Sequence, residues 1–154
     1  MKKTTGFTLI ELVMIIAVLA IVIAVGVPRL GNISSNNRMT TAINNLTADI
    51  TYARSEAITR NANIDIVANG GNWANGWQIQ DGGTVLRNAP ALLSTFTLTE
   101  AASITTITFS GDGIITTASP TLLLCKNGES GTYGKQVDIT VSGQNYLTTG
   151  ASCP

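Results

Sequence analysis

The chain has 154 residues, which suits one domain or one small domain with an appendage. Charged residues make up 12% of the chain, about half the usual share for a soluble domain, and nine basic residues balance nine acidic ones. This balance disfavours a generic nucleic-acid binder, and the lack of histidine removes the commonest general base and metal ligand. We therefore expect no enzyme activity, no cofactor and no metal site.

The longest apolar segment is Phe7–Val27, whose 21 residues include a single charge, at Glu11. As a helix it would be about 31 Å long, enough to cross the apolar core of a bilayer. It is longer than the roughly 7–15 residues of an ordinary signal-peptide core, and no small-residue cleavage site follows it. An ordinary membrane anchor is the simplest alternative. However, a carboxylate inside an apolar segment is costly, so Glu11 should have a partner or a function.

The N-terminus carries a resemblance to a known family. The sequence KKTTG at residues 2–6, followed by FTLIE at residues 7–11, resembles the class III signal of type IV prepilins and type II secretion pseudopilins. The resemblance implies that a prepilin peptidase removes residues 1–6 by cleaving after Gly6, and that it then methylates the new N-terminus at Phe7. It also implies that Glu11 supports assembly into a filament.

Glu11 and the new amine at Phe7 suggest a physical basis for that assembly. In a bundle of such helices, the carboxylate of one subunit could pair with the amine of its neighbour. A buried ion pair of this kind fixes register more surely than it adds net stability. The hypothesis predicts that Glu11→Ala enters the membrane normally but enters filaments poorly.

The helix is expected to continue beyond a membrane-spanning half at residues 7–27. Pro28 stands where many members of the resembling family have a proline, and it predicts a kink or a local break. Helical spacing then resumes in an amphipathic second half, residues 28–62, which is predicted to end near Asn61. Its apolar stripe, expected to pack on a folded domain, consists of Met39, Ile43, Leu46, Ile50, Ala53 and Ala57.

The remaining segment, residues 63–154, is predicted to form a β-rich domain. Asn-Gly and Asp-Gly pairs mark turns between its strands. The clearest strand is 136–142, where Val137, Ile139 and Val141 alternate with polar residues, as one buried face requires. Shorter strands are predicted at 64–67, 76–80, 84–86, 104–109 and 121–125. The fold class is therefore α+β: a long N-terminal helix on a mainly antiparallel sheet, the pilin architecture that the resemblance implies.

Cys125 and Cys153 lie in the part of the chain expected outside the cytoplasm, where disulfides persist. A bridge between them would add roughly 3–4 kcal/mol on the chain-entropy model and would hold the C-terminal tail in place. Two free thiols are the alternative. Two cysteines without histidine do not suggest a metal site.

A second resemblance narrows the family. Residues 52–61 resemble the helix end of the GspH/FimT group of minor pilins and pseudopilins, and residues 72–79 resemble its W-x-x-G-W segment. Residues 107–113 resemble a later turn of the same group. Each also has a purely structural alternative, in which Glu56 and Arg60 form an ordinary i, i+4 pair and the tryptophans pack in the core.

The group implies two roles. In the first, the chain is a minor type IV pilin that helps to prime or cap a pilus. In the second, it is a GspH-like minor pseudopilin of a type II secretion system. Either role implies the same partners: prepilin peptidase, other major and minor pilins or pseudopilins, and an inner-membrane assembly platform. The expected location is the bacterial inner membrane, crossed once with the globular domain in the periplasm, and later the filament.

DNA is a further candidate partner, because some FimT-like pilins bind it through a C-terminal G-R-x-R motif. The matching place here, residues 142–146, keeps Gly143 but has neither arginine. Lys126 and Lys135 flank a glycine-rich loop and could form a weak, salt-sensitive phosphate site. A solvated loop is the alternative, and the sequence therefore leaves DNA binding doubtful.

Overall fold

The N-terminal part of the chain forms one long helix, α1, which begins at Leu9 and ends at Arg60. The structure is a computed structural model that describes the backbone of residues 6–154 and the side chains of residues 6–24 and 34–154. Most of the predicted leader therefore lies outside the described residues. The chain divides into two compact units, one ending at Arg38 and the other beginning at Met39.

In the first unit, Thr8 caps the start of α1, since its hydroxyl accepts a hydrogen bond of 3.3 Å from the backbone N–H of Glu11. The described apolar side chains of this unit are exposed. Among its described residues, the structure contains no helix long and apolar enough to span a membrane. The predicted span, residues 7–27, and the predicted kink at Pro28 both reach side chains outside the described residues, so both stay predictions.

In the second unit, the part of α1 that follows Arg38 is amphipathic, as predicted. The six residues of the predicted stripe are all buried, with at most 4% of any one exposed. The helix ends in a Schellman motif, in which Ala62 N–H donates to the Ala57 carbonyl and Asn61 N–H donates to the Ile58 carbonyl. Asn61 adopts a left-handed φ of 49°, which asparagine tolerates better than most residues. The predicted helix end near Asn61 is therefore confirmed.

Eight strands follow, and they form two four-stranded sheets with antiparallel neighbours throughout. The first sheet has the order β3-β2-β1-β5, with β1 Ile64–Ala68, β2 Trp77–Asp81, β3 Thr84–Ala89 and β5 Thr106–Phe109. The second has the order β4-β6-β7-β8, with β4 Phe96–Glu100, β6 Thr121–Lys126, β7 Gly131–Ile139 and β8 Asn145–Cys153. Two short 3-10 helices, Asn69–Gly71 and Trp73–Asn75, connect β1 to β2.

The α+β class is confirmed, but the strand predictions need three corrections. The antiparallel strands form two sheets rather than one, and β4 and β8 were not predicted. The strand predicted at 136–142 ends at Ile139, and Val141 is 63% exposed instead of buried. The reason is a tight turn after β7, in which Gly143 N–H donates to the Thr140 carbonyl at 2.8 Å.

The core of the second unit lies between the α1 stripe and the two sheets. Alternate residues of β1 point inward, as do Leu122 and Leu124 of β6 and Val137 and Ile139 of β7, which fits the pleat of a half-buried strand. Its largest fully buried side chains include Phe109, Ile43, Leu46, Ile50, Ile66, Ile79, Ile107, Leu122 and Leu124. Burial of this apolar surface is the main favourable contribution to folding of the unit.

The predicted disulfide is present between Cys125 in β6 and Cys153 in β8, with the two Cα atoms 5.8 Å apart. These strands are separated by β7 in the sheet, but β7 departs from regular register between Gly131 and Lys135. There the ends of β6 and β8 come together. A Cβ on Gly134 would lie 2.9 Å from Cys153 Sγ, so the bridge needs a glycine beside it.

Candidate functional site

The predicted processing site lies at the start of the described residues. A Cβ added to Gly6 would meet no atom within 4 Å, and Phe7 is 75% exposed. The two residues on either side of the predicted cleavage point are therefore both exposed. Glu11 is also exposed, one turn into the sequence that begins at Phe7. The acidic side chain in the first helical turn complements the positive end of the helix dipole. The roles of Gly6, Phe7 and Glu11 in processing and assembly remain predictions.

The first unit exposes an apolar helix surface that no described residue of the unit covers. One shallow apolar hollow on it has a volume of 350 Å³ and is lined by Met14, Ile15, Val18, Leu19 and Val22. Single exposed apolar residues are ordinary, but a continuous exposed surface of this kind marks contact with protein or lipid. The geometry therefore suits packing against other helices or against acyl chains.

In the second unit, a polar cluster joins α1 to the first sheet. Asp49 is only 7% exposed and accepts hydrogen bonds from Trp77 Nε1 at 3.0 Å and from Arg87 Nη1 at 2.7 Å. The guanidinium of Arg87 also lies 4.1 Å from the centre of the Tyr52 ring, in cation–π contact. Its hydrogen bond to Asp49 raises the pKa of Arg87 above its ordinary value. The cluster gives a buried carboxylate the partners that burial demands.

The W-x-x-G-W segment is structural, in agreement with the predicted core packing of its tryptophans. Trp73 and Trp77 are both buried, and Trp73 Nε1 donates a hydrogen bond of 2.7 Å to the Ile104 carbonyl. Gly76 between them has a φ of 86°, and a Cβ there would lie 2.3 Å from the Ala89 carbonyl oxygen. The motif therefore needs its glycine because the backbones at Gly76 and Ala89 approach each other closely.

Arg54 connects distant parts of the chain through partners that the sequence did not reveal. Its Nε donates to the Gly113 carbonyl at 2.8 Å, and its Nη2 donates to the Ser142 carbonyl at 3.0 Å. It therefore joins α1 to the loop at Gly113 and to the turn after β7. The groove beside it has a volume of 350 Å³ and is lined by Thr51, Arg54, Gly143, Gln144, Asn145 and Tyr146.

The predicted helix-surface pair is also present. Arg60 Nε lies 2.7 Å from a Glu56 carboxylate oxygen, and Arg60 Nη1 lies 3.3 Å from Asp81. The hydrogen bond to Glu56 raises the pKa of Arg60 above its ordinary value. Arg60 is 42% exposed at its side chain, so this pair contributes little to stability.

The two lysines considered for DNA lie at the end of β6 and on β7, on either side of the glycine-rich loop. Lys126 forms an ion pair with Glu129, which offsets its charge, and Lys135 stands on β7. Residues 142–146 are the segment that matches the G-R-x-R motif. The groove beside them is lined by one basic side chain, Arg54, whose guanidinium already donates to two carbonyls. Among the described residues, no three metal-ligating side chains lie together.

Two family models match the chain. Residues 1–27 match the prokaryotic N-terminal methylation motif, and residues 42–144 match the type II transport protein GspH. The second match alone covers more than half of the chain. The chain belongs to the GspH family.

Solved structures of other proteins agree with this GspH assignment. The type IV minor pilin FimU of Pseudomonas aeruginosa is similar, with a TM-score of 0.68 and 25% identity over 79% of this chain and 96% of that one. The minor pseudopilin EpsH from the type 2 secretion system of Vibrio cholerae has a TM-score of 0.60 at 10% identity, over 73% and 97%. At that identity EpsH shows the shared fold alone. No curated protein sequence matches the chain.

Proposed function

We propose that this GspH-family chain is a minor type IV pilin, which helps to prime or cap a pilus. The observation that carries the proposal is its similarity to the minor pilin FimU over nearly the whole FimU structure. The exposed apolar surface of the first unit supports it, since a pilin helix needs a surface for the filament core. The N-terminal methylation motif supports processing as a prepilin.

Under this proposal, the chain is inserted once into the bacterial inner membrane through residues 7–27, with the second unit in the periplasm. Prepilin peptidase cleaves after Gly6 and methylates Phe7, and the assembly platform then draws the subunit into a filament with other pilins. The free amine at Phe7 pairs with Glu11 of a neighbouring subunit. No cofactor takes part.

The pairing at Glu11 is tested by removing its charge. Glu11→Gln should reach the membrane at normal levels but should be depleted from sheared filaments, because the neighbour's amine loses its partner. Glu129→Gln is the matched control, since it makes the same change at an exposed position whose partner, Lys126, is within the chain. Equal filament content for Glu11→Gln and Glu129→Gln would refute the pairing.

A minor pseudopilin of a type II secretion system is the second candidate. The family description as a type II transport protein and the fold shared with EpsH favour it. Deletion of the gene distinguishes the two roles. Loss of surface pili with normal secretion of extracellular enzymes supports the pilin role, whereas loss of secretion with normal pili supports the pseudopilin role. No feature of the described residues favours the DNA-binding role over these two.

A further inference from the structure

The second unit has four sheet edges, and three of them are protected. Edge strands expose unpaired backbone N–H and C=O groups, which natural proteins cover or guard with charge. The edge at β5 is covered, because Ile115 bridges to Phe109 and Thr116 N–H donates to the Thr108 carbonyl. The edge strand β3 carries Arg87, which reaches across to Asp49 on α1.

The edge strand β4 carries Glu100, whose carboxylate accepts hydrogen bonds from three backbone N–H groups. Its Oε2 accepts from Ala102 at 2.9 Å and from Ile104 at 2.6 Å, and its Oε1 accepts from Thr121 at 3.4 Å. These bonds fold the following loop back beside the strand. The edge at β4 is therefore protected by both a charged side chain and a covering loop.

The fourth edge, at β8, has neither a charged side chain nor a covering loop. Among residues 6–154, β7 is the one strand that pairs with β8, so the opposite side of its backbone faces outward. The nine residues Asn145–Cys153 include no charged side chain and no proline. Five consecutive residues, 146–150, are exposed, so α1 does not cover this stretch, although Asn145 Nδ2 donates to the Thr47 carbonyl on α1.

The strand is also held at both ends, and residues 145–149 are its regular part, because the register skips Gly150, whose φ is 80°. The turn at Gly143 and the Asn145 bond to α1 fix its beginning, and the disulfide at Cys153 fixes its end. Ordering a strand before it meets a partner lowers the conformational entropy lost on binding. A long, uncharged and pre-ordered edge is the kind of surface that takes up a further strand.

We propose that β8 binds an extended, uncharged strand from another subunit of the same filament, which adds to the second sheet as a fifth strand. The proposal rests on the proposed function, because that function supplies the neighbouring subunits. The ligand is defined by two properties of β8. Its outward backbone groups require a strand, and residues 145–153 offer no charge to pair with one on the partner, which favours a partner strand without charge.

Photo-crosslinking in cells that carry the full chain tests the proposal. A photoreactive residue is placed at Tyr146 or at Thr148, which share one face of β8, and at Thr84 on the guarded edge β3 as the control. We expect adducts from the two β8 positions to a different subunit, one whose precursor has a class III leader, identified by its peptides. The attachment site on the partner should move by two residues between the two positions, because a paired strand has a two-residue repeat.

A matched substitution then tests the pairing itself. Thr148→Lys places on the edge the charge that such edges usually carry, and Thr84→Lys makes the same change at another exposed edge threonine. With the crosslinker at Tyr146, Thr148→Lys should reduce the adduct severalfold, whereas Thr84→Lys should leave it unchanged. The measurement includes the unfolding temperature of each variant, which both substitutions should preserve.

Several outcomes would overturn the proposal. These are equal adducts from Thr84 and Thr148, an adduct to a second copy of this chain alone, an attachment site that does not move, or a normal adduct in Thr148→Lys. If these occur while the processed chain is found in filaments, strand addition fails and the pilin role stands. If the chain is in neither filaments nor pseudopili, the proposed function fails first.

Discussion

Arg54 on α1 donates a hydrogen bond of 3.0 Å to the carbonyl oxygen of Ser142, which lies 88 residues further along the chain. The same guanidinium binds the Gly113 carbonyl at 2.8 Å. One helical side chain therefore holds two loops that both carry backbone carbonyls with no strand partner. The turn at Ser142 leads directly into β8, so Arg54 also fixes where the proposed subunit-binding strand begins.

Removal of this side chain should destabilise the second unit. Arg54→Leu keeps much of the aliphatic stem but removes both hydrogen bonds, and we expect a loss of about 1–3 kcal/mol in the free energy of unfolding. Arg38→Leu is the matched control at an exposed helical position and should change stability far less. Denaturant titration of the full chain in detergent measures both. Equal effects would show that the two carbonyl bonds contribute nothing specific.

Gly143 offers a second test of the same region. It has a φ of 75°, and a Cβ there would lie 2.2 Å from the Gly113 carbonyl oxygen and 2.8 Å from Arg54 Nε. Gly143→Ala should therefore lower the free energy of unfolding by more than the roughly 1–2 kcal/mol that a left-handed backbone alone costs. Gly82→Ala isolates that strain, since Gly82 has a φ of 54° and open space around it. The account is wrong here if the two alanine variants unfold at the same denaturant concentration.

The buried carboxylate of Asp49 should stabilise the second unit, because it accepts a hydrogen bond from the indole N–H of Trp77. Asp49→Ala leaves Trp77 Nε1 buried without a partner, which should cost about 1–3 kcal/mol. In a Trp77→Phe background that N–H is absent, so the additional effect of Asp49→Ala should shrink. A double-mutant cycle on unfolding free energies measures this coupling. Strict additivity of the two changes would contradict the assigned hydrogen bond.

The disulfide between Cys125 and Cys153 should stabilise the C-terminal strand. Replacing both cysteines by serine should lower the unfolding free energy by about 2–4 kcal/mol. A reducing agent should produce a similar loss in the native chain and no further loss in the double-serine variant. Proteolysis adds a local readout, because β8 is the strand that the bridge retains. An unchanged cleavage rate within residues 145–154 would contradict this role.

The sequence predicted best those features whose cause is local. The stripe from Met39 to Ala57 repeats at helical spacing, and the helix end follows from Asn61, which accepts a left-handed φ. The cysteine pair was predictable from the compartment that the N-terminal signal implies. The resemblance at residues 2–11 is also local, and it identified the N-terminal signal that the methylation motif confirms.

The features that the sequence missed depend on distant contacts. In β8, exposed residues succeed one another without alternation, so the strand is defined by its pairing with β7 rather than by a pattern. Val141 continues the alternation of Val137 and Ile139, yet the turn at Gly143 ends the strand before it. The partners of Arg54 are 59 and 88 residues away, and no spacing in the chain points to them.

The central claim is that this chain is a processed, low-copy subunit of a pilus. Quantitative peptide mass spectrometry on sheared surface filaments tests it most directly, through the peptide that begins at Phe7. The account predicts an N-methylated Phe7 peptide at trace level beside an abundant major pilin. Absence of the peptide from filaments, with processed protein retained in the cell envelope, would contradict the pilin role and favour the pseudopilin. Dominance of this chain in the filament would contradict its role as a minor subunit.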